Sequence, residues 1–492
     1  MEIITRSIKY NTAVSYFSQY PEDLPGFLLE SIDISPIYGR LSLFAVDPPL
    51  EVVGKDNNFR ITALNSIGTE ILKMFDKSDF DYASKVSFSK QEISGQVKRE
   101  NLQLSESERL KQPNISFVIR TLISKFTPLL QSQASDSSLL GLYGGFSYDF
   151  VRLFEDLPDR HDHGQTPDFH LFLPDVIYFF DHLKEQAALY YFQFTSLSLT
   201  KRLKQIPNGK TSPDDFQVTG PLRSNFNRQQ FVAGVEKAKE YMEKGDIFEM
   251  VLSQKFQAKF TGSTLALYDL YRRANPAPYM FYFNFGKSCL LGASPEMFIR
   301  VENGEVNTRP ISGTAQRSDD PITDYQNMMS LLNSSKEKSE LDMLIDLGRN
   351  DISRVCLPGV ELSDYRFVEK YSKVMHTVAH VRGRLDKKNF TAFDAFIASL
   401  NAGTLTGTPK PRAMELIEEM EPVRRGFYGG NVGYVTFNNE LNTGIIIRSA
   451  VIADDQIELQ AGATLLYDSD PESEYRETEA KAAALVGLLK KK

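Results

Sequence analysis

A chain of 492 residues, 41% hydrophobic and 24% charged, has enough apolar material for two or three lobes with sizeable cores. Its 64 Asp+Glu against 56 Lys+Arg give a net charge of -8, which argues against a nucleic-acid partner. Two cysteines, Cys289 and Cys356, exclude a disulfide framework and a cysteine metal cluster.

The opening MEIITRSIKYNTAV lacks the apolar core of a signal peptide. No uninterrupted apolar run is long enough to span a bilayer, and the most apolar stretch, 171–180, is cut by Pro174 and Asp175. A soluble cytoplasmic protein without a membrane partner is expected. Tryptophan is absent although Phe and Tyr are plentiful.

Residues 1–220 read as a lobe of short strands. Phe27 to Ile32 is a short apolar run, and the alternation of 41–46 predicts a half-buried strand. The lysine- and serine-rich span 76–112 predicts surface helix and loop. Gly141 to Asp149 is glycine-rich but lacks a Gly-Lys-Ser/Thr ending, so a glycine-kinked strand is expected rather than a phosphate loop. His161, His163 and His170 are placed in a polar loop, and 205–224, with Pro207, Pro213 and Pro221, is the linker candidate.

The second segment, 225–492, opens on a helix with Asn227 as N-cap and Gln230 three residues on. Strands and helices then interleave: strands over 247–260, 279–285 and 289–293, helices over 336–351, 391–400 and 409–420, and strands over 433–437, 443–452 and 456–461. The class is α+β or mixed α/β with large sheets. Leu341, Leu344 and Ile345 recur at helical spacing in one acidic segment, and Leu485, Leu488 and Leu489 in another. The first carries Glu337 and Glu340, the second Glu474 and Glu477, each pair one turn apart on one face. Two such helices facing a common pocket make a hard, all-oxygen site suited to Mg2+; two solvated acidic faces fit the same residues.

Arg448 lies in the aliphatic run 445–449, either at a strand edge or in a pocket for an anion. Gly462, Ala463 and Thr464 are placed at a strand end, where backbone N–H groups can receive a carboxylate. The glycine-rich 425–434 follows a helix and leads into a strand, the reverse of a dinucleotide fingerprint.

Five motifs, Pro310-Ile311-Ser312-Gly313-Thr314, Asp346-Leu347-Gly348-Arg349-Asn350-Asp351, Val374-Met375-His376, Gly403-Thr404-Leu405-Thr406-Gly407-Thr408-Pro409-Lys410 and Gln460-Ala461-Gly462-Ala463, resemble the chorismate-utilising enzymes from about residue 225 to the end. Leu28-Leu29-Glu30-Ser31 resembles the feedback element of anthranilate synthase component I. The resemblance implies large antiparallel sheets flanked by helices, with a regulatory N-terminal lobe. It implies that Glu340 and Glu477 hold Mg2+, supported by Glu337 and Glu474, and that the metal binds the ring carboxylate of chorismate. By the same likeness Glu296 is the general acid for the departing C4 hydroxyl, and His376 stands near the enolpyruvyl group. Thr314, Thr404, Tyr428, Arg448, Lys481 and the amides of Gly462, Ala463 and Thr464 place the substrate. Leu29, Glu30, Ser31, Asn275, Pro278, Tyr279 and Met280 form the walls of a feedback site for tryptophan.

Family members that make aminodeoxychorismate often carry a nucleophilic lysine where Ser312 stands, so direct attack by ammonia is favoured here. Isochorismate and salicylate synthases carry a water-activating lysine where Glu249 stands; the role of Glu249 is open. Relatives usually have glycine in place of Thr464, and a positive φ there would make threonine costly and the loop different. Neither cysteine sits in a glutaminase nucleophile turn, so ammonia comes free or from a separate glutamine amidotransferase subunit, in a hetero-oligomer. The expected reaction is chorismate plus ammonia to anthranilate and pyruvate. The competing readings are an aminodeoxychorismate or 2-amino-2-deoxyisochorismate synthase, and a non-catalytic ligand sensor.

Overall fold

The computed structural model describes residues 1–32, 41–98, 104, 106–130, 139–209, 215–371 and 374–490. Its frame is two large antiparallel sheets, of 12 and 13 strands among the described residues. Both take strands from each side of residue 220. In the first sheet Gly26–Glu30 pairs with Tyr279–Asn284; in the second Gly141–Phe146 pairs with Asn431–Thr436. The expected α+β class is what the chain adopts.

The inner faces of the sheets share one core. Phe27 of the first stacks on Tyr143 of the second, with ring centroids 4.7 Å apart, and Phe285 stacks on His170 at 3.8 Å. Gly144 serves the pairing of strands within the second sheet. A Cβ at Gly144 would lie 2.0 Å from the His170 carbonyl oxygen, so only glycine lets the neighbouring strand approach. Helices cover the outer faces. Arg228–Glu243 starts at the expected capping box of Asn227 and Gln230, and Ser335–Ser353 is capped by Ser334, whose hydroxyl accepts from the Glu337 N–H.

Four local expectations are corrected. Residues 443–452 are two strands: Leu441–Ile445 belongs to the second sheet and Ser449–Ala453 to the first. The chain changes sheets between them, with Arg448 at φ 49°, a left-handed conformation that breaks the apparent run. The linker candidate contains Phe216–Ser224, an edge strand whose register shifts between Thr219 and Arg223, where Pro221 leaves the ladder. Pro213 lies outside the described residues. The span 76–112 contains strands Lys85–Phe88 and Glu92–Gln96. His170 is in the strand Phe169–Leu173, facing Glu51, rather than in a loop.

Candidate active site

Where the chain changes sheets, the strand Ser288–Ser294 and the turn at 403–405 also end, and their side chains meet. Glu296 follows Ser294 by two residues and accepts a 2.8 Å hydrogen bond from the Thr404 hydroxyl. Burial pushes its carboxyl up to about 7, against the Thr404 hydrogen bond and the charges of Lys481 and Arg448. Near neutrality Glu296 therefore carries a proton it can release.

His376, 6% exposed on the strand Val374–Arg384, is hydrogen-bonded through Nδ1 to the Gly313 carbonyl at 2.8 Å and to the Thr314 hydroxyl at 3.1 Å. A carbonyl only accepts, so Nδ1 carries the hydrogen and Nε2 the lone pair. Burial, aided by Arg448, holds its pKa down at about 4. His376 is a neutral acceptor at physiological pH. Arg448 is half-buried among these groups, and its guanidinium makes no ion pair among the described residues. A guanidinium so placed is a seat for a carboxylate.

The charge of Glu477 on one acidic helix reaches Glu340 on the other. Burial and then Glu337 and Glu477 push Glu340 up to about 7, against Lys336 and Ser312. Glu474, on the helix Pro471–Lys490, is raised by burial and by Glu477, and accepts from the Ser469 hydroxyl at 2.7 Å. Glu477 pairs with Lys481 at 2.7 Å. Among the described residues no three or more His, Cys, Asp or Glu side chains stand together at metal-ligating spacing. The donor set nevertheless fits a hard cation: all oxygens, with neighbouring carboxylate charges that raise Glu340 and Glu474 and that a cation would relieve. Ser312 lies against Glu337, its Oγ 3.4 Å from the carbonyl oxygen.

Glu249 opens the strand Glu249–Gly262 and is 1% exposed, and its Oε2 has no hydrogen-bond partner among the described residues. Burial and the charge of Glu340 push it up to about 8. Gly462, Ala463 and Thr464 are inside the strand Gln456–Leu465, opposite Ser253, Leu252 and Val251, rather than at a strand end. The Gly462 carbonyl accepts from Lys481 Nζ at 3.0 Å, and a Cβ at Gly462 would stand 2.9 Å from the Tyr428 hydroxyl. Thr464 does not have the positive φ that would have made threonine costly.

The two feedback stretches are neighbours. Glu30 is opposite Met280 and Leu29 opposite Phe281, and the N–H of Ile32 donates to the Ala277 carbonyl at 3.1 Å. Glu30 accepts from Arg272 at 2.7 and 2.8 Å and from the Tyr268 hydroxyl at 2.9 Å. Tyr279 donates to Asn442, and Ser31 donates its N–H to the Leu41 carbonyl. Pro278 lies just before the strand Tyr279–Asn284, and Asn275 caps the helix Thr264–Ala274.

Sequence reasoning missed Arg425. Its guanidinium, 3% exposed, binds both oxygens of Glu421, donates to the carbonyls of Leu405 and Val251, and lies 5.7 Å from the Tyr428 ring centroid. No helical spacing announced it, because Glu421 and Arg425 lie beyond the end of the helix Lys410–Met420.

The sequence profile of the chorismate binding enzymes matches residues 79–487. The chain belongs to that family. Among its relatives, anthranilate synthase component 1 of Cereibacter sphaeroides is 41% identical over 70% of this chain and 72% of its own. The same component of Acetivibrio thermocellus is 34% identical over 97% of this chain and 92% of its own. The solved anthranilate synthase component I of Streptococcus pneumoniae superposes with a TM-score of 0.69 at 30% identity, covering 91% of this chain and 92% of its own. The menaquinone-specific isochorismate synthase of Escherichia coli shares the fold, with a TM-score of 0.69 at 18% identity over 99% of this chain and 94% of its own. No helix among the described residues is long and apolar enough to cross a membrane.

Proposed function

We propose that the chain is the synthase subunit of an anthranilate synthase, converting chorismate and ammonia to anthranilate and pyruvate in the first committed step of tryptophan biosynthesis. The observation that carries this reading is the half-buried Glu296 carboxyl, held by Thr404 and able to carry a proton near neutrality, near the neutral His376 and the guanidinium of Arg448, which is without an ion pair among the described residues. Ammonia adds at ring carbon 2 and releases its surplus proton, while the C4 hydroxyl leaves as water with the proton of Glu296. The ring then gives up its C2 hydrogen as a proton as the C3–O bond breaks, and the enolpyruvyl methylene takes up a proton, so that the group departs as pyruvate. Arg448 and Tyr428 hold the substrate's carboxylates, and His376 offers Nε2 as an acceptor. Glu340 and Glu477, with Glu337 and Glu474 beside them, would hold Mg2+, which supplies Lewis-acid neutralisation of the ring carboxylate. Ser312 carries no amine, which supports direct amination over a covalent route.

The test is the product. With chorismate, Mg2+ and an ammonium salt, the purified chain yields fluorescent anthranilate; with glutamine it yields none until a separate glutamine amidotransferase chain is added. A product that keeps the enolpyruvyl group, or full activity in EDTA, sinks the reading.

Tryptophan is the proposed inhibitor. Its supporting observation is a short path: the strand Tyr279–Asn284 pairs with Gly26–Glu30 on one side and with Ser288–Ser294, which leads to Glu296, on the other. A coupling of about 1–3 kcal/mol between the two sites gives roughly 5- to 150-fold inhibition. Ser31→Leu relieves that inhibition and leaves uninhibited turnover largely unchanged. Equal sensitivity of the two proteins to tryptophan would place the effector elsewhere.

A further inference from the structure

Glu296 and the Thr404 hydroxyl must be held in register, and the turn that bears Thr404 borders an open recess. The recess, of about 50 Å3 and open to solvent, is lined by Glu296, Thr404, Ser399, Asp351 and Leu347 among others. In the wall of the same recess Gly403 rests against Leu347 and Leu344, where a Cβ would come within 2.8 Å of Leu347.

What fixes the turn is polar. Lys410, 8% exposed at the start of the helix Lys410–Met420, donates from Nζ to Asp351 Oδ2 at 2.7 Å, to the Ser399 carbonyl at 3.2 Å and to the Leu400 carbonyl at 3.4 Å. An ammonium has three protons, and each has an acceptor. Asp351, 5% exposed, lies in the last turns of the helix that carries Glu337 and Glu340, and its Oδ1 accepts from Arg354 at 2.8 Å. At the far end of the turn Arg425 binds the Leu405 carbonyl, and the Thr406 carbonyl accepts from the Val251 N–H at 3.0 Å. The motif containing Lys410 was visible in the sequence, but the site described above gives this residue no part.

We infer that Lys410, through Asp351, is a positioning residue: it ties the start of the turn at 399–406 to the acidic helix, so that Thr404 reaches Glu296. The inference rests on the reading of Glu296 as the acid. A buried ion pair does not by itself imply a gain in stability, because desolvation offsets much of the attraction. Placement of the turn is what the pair provides.

Lys410→Met combined with Asp351→Asn removes both charges at nearly constant volume. In its crystal structure the Thr404–Glu296 distance lengthens from 2.8 Å to beyond hydrogen-bonding range. Its kcat falls by about 10- to 100-fold while KM for chorismate stays nearly constant, the size of effect that a small misplacement produces. The hydrogen bond from Thr404 favours the carboxylate, so at fixed free ammonia its loss moves the falling limb of the kcat pH profile upward, with Arg448 and Lys481 still facing Glu296. Adding Thr404→Val to this variant lowers kcat little further, because the step it removes is already lost. An intact 2.8 Å contact, an unmoved limb, or losses that multiply would overturn the inference. Should the paired variant not fold, Lys410→Arg keeps the charge pairing but spreads its donors over a planar fork. It must then lengthen the same contact and lower kcat, and full kcat counts against the inference. If the wild type makes no anthranilate, the functional reading fails, while the crystallographic distance still decides the positioning role.

Discussion

Glu340→Gln and Glu477→Gln each lower kcat by on the order of 100-fold or more, since loss even of a group supporting a metal ligand costs 10- to 100-fold. Thermal stability without Mg2+ does not fall. Glu340 is raised to about 7 by burial and then by Glu337 and Glu477, so a neutral amide there relieves a strained set of like charges. Glu477→Gln gives up a pair with Lys481 that is nearly half exposed on both sides and contributes little. The same substitution takes a negative charge away from Glu340 and Glu474. A cation that binds only the folded protein raises its melting temperature by mass action. The wild type therefore gains stability on adding Mg2+, and both variants lose most of that gain. Near-normal turnover in either variant, or an undiminished Mg2+-induced shift in Tm, would remove these two residues from the metal assignment.

The acidic helices were legible because their signal is local. Leu341, Leu344 and Ile345 repeat at helical spacing, and a pair of carboxylates three residues apart cannot avoid sharing a face. The capping box at Asn227 was legible for the same reason. What the sequence hid was the change of sheet at Arg448. Ile445, Ile446 and Ile447 all suit a strand, and nothing in their side chains announces a left-handed residue that turns the chain from one sheet into the other. The edge strand Phe216–Ser224 was hidden by Gly220 and Pro221, which read as linker although they mark an irregularity in a paired ladder. At the site, side-chain types were readable and their commitments were not. Glu30 has the charge to meet an amino group, and Arg272 and Tyr268 on a distant helix also donate to it. Lys410 and Arg425 bind main-chain carbonyls, partners that no sequence pattern names.

Glu296→Gln lowers kcat by about 10²- to 10⁴-fold, the usual worth of a positioned general acid. It should also change the shape of the pH profile. A carboxyl raised to about 7 is protonated below that pH and loses its proton as pH rises through it. The acid form is the active one, so this group alone makes the rate fall about tenfold per unit well above neutrality. The nucleophile has the opposite dependence, because free ammonia rises about tenfold per unit while ammonium predominates. At fixed total ammonium the two trends cancel above neutrality, and the wild-type profile climbs and then levels. At fixed free ammonia the climb disappears and the fall is exposed. Mg2+ must be saturating throughout, so that protonation of Glu340 does not add a limb of its own. A glutamine amide cannot ionise, so the residual rate of Glu296→Gln at fixed free ammonia is flat across the range where the wild type falls. A falling limb retained by the variant would assign the acid to another group, and a kcat within a few-fold of wild type would remove Glu296 from the chemistry.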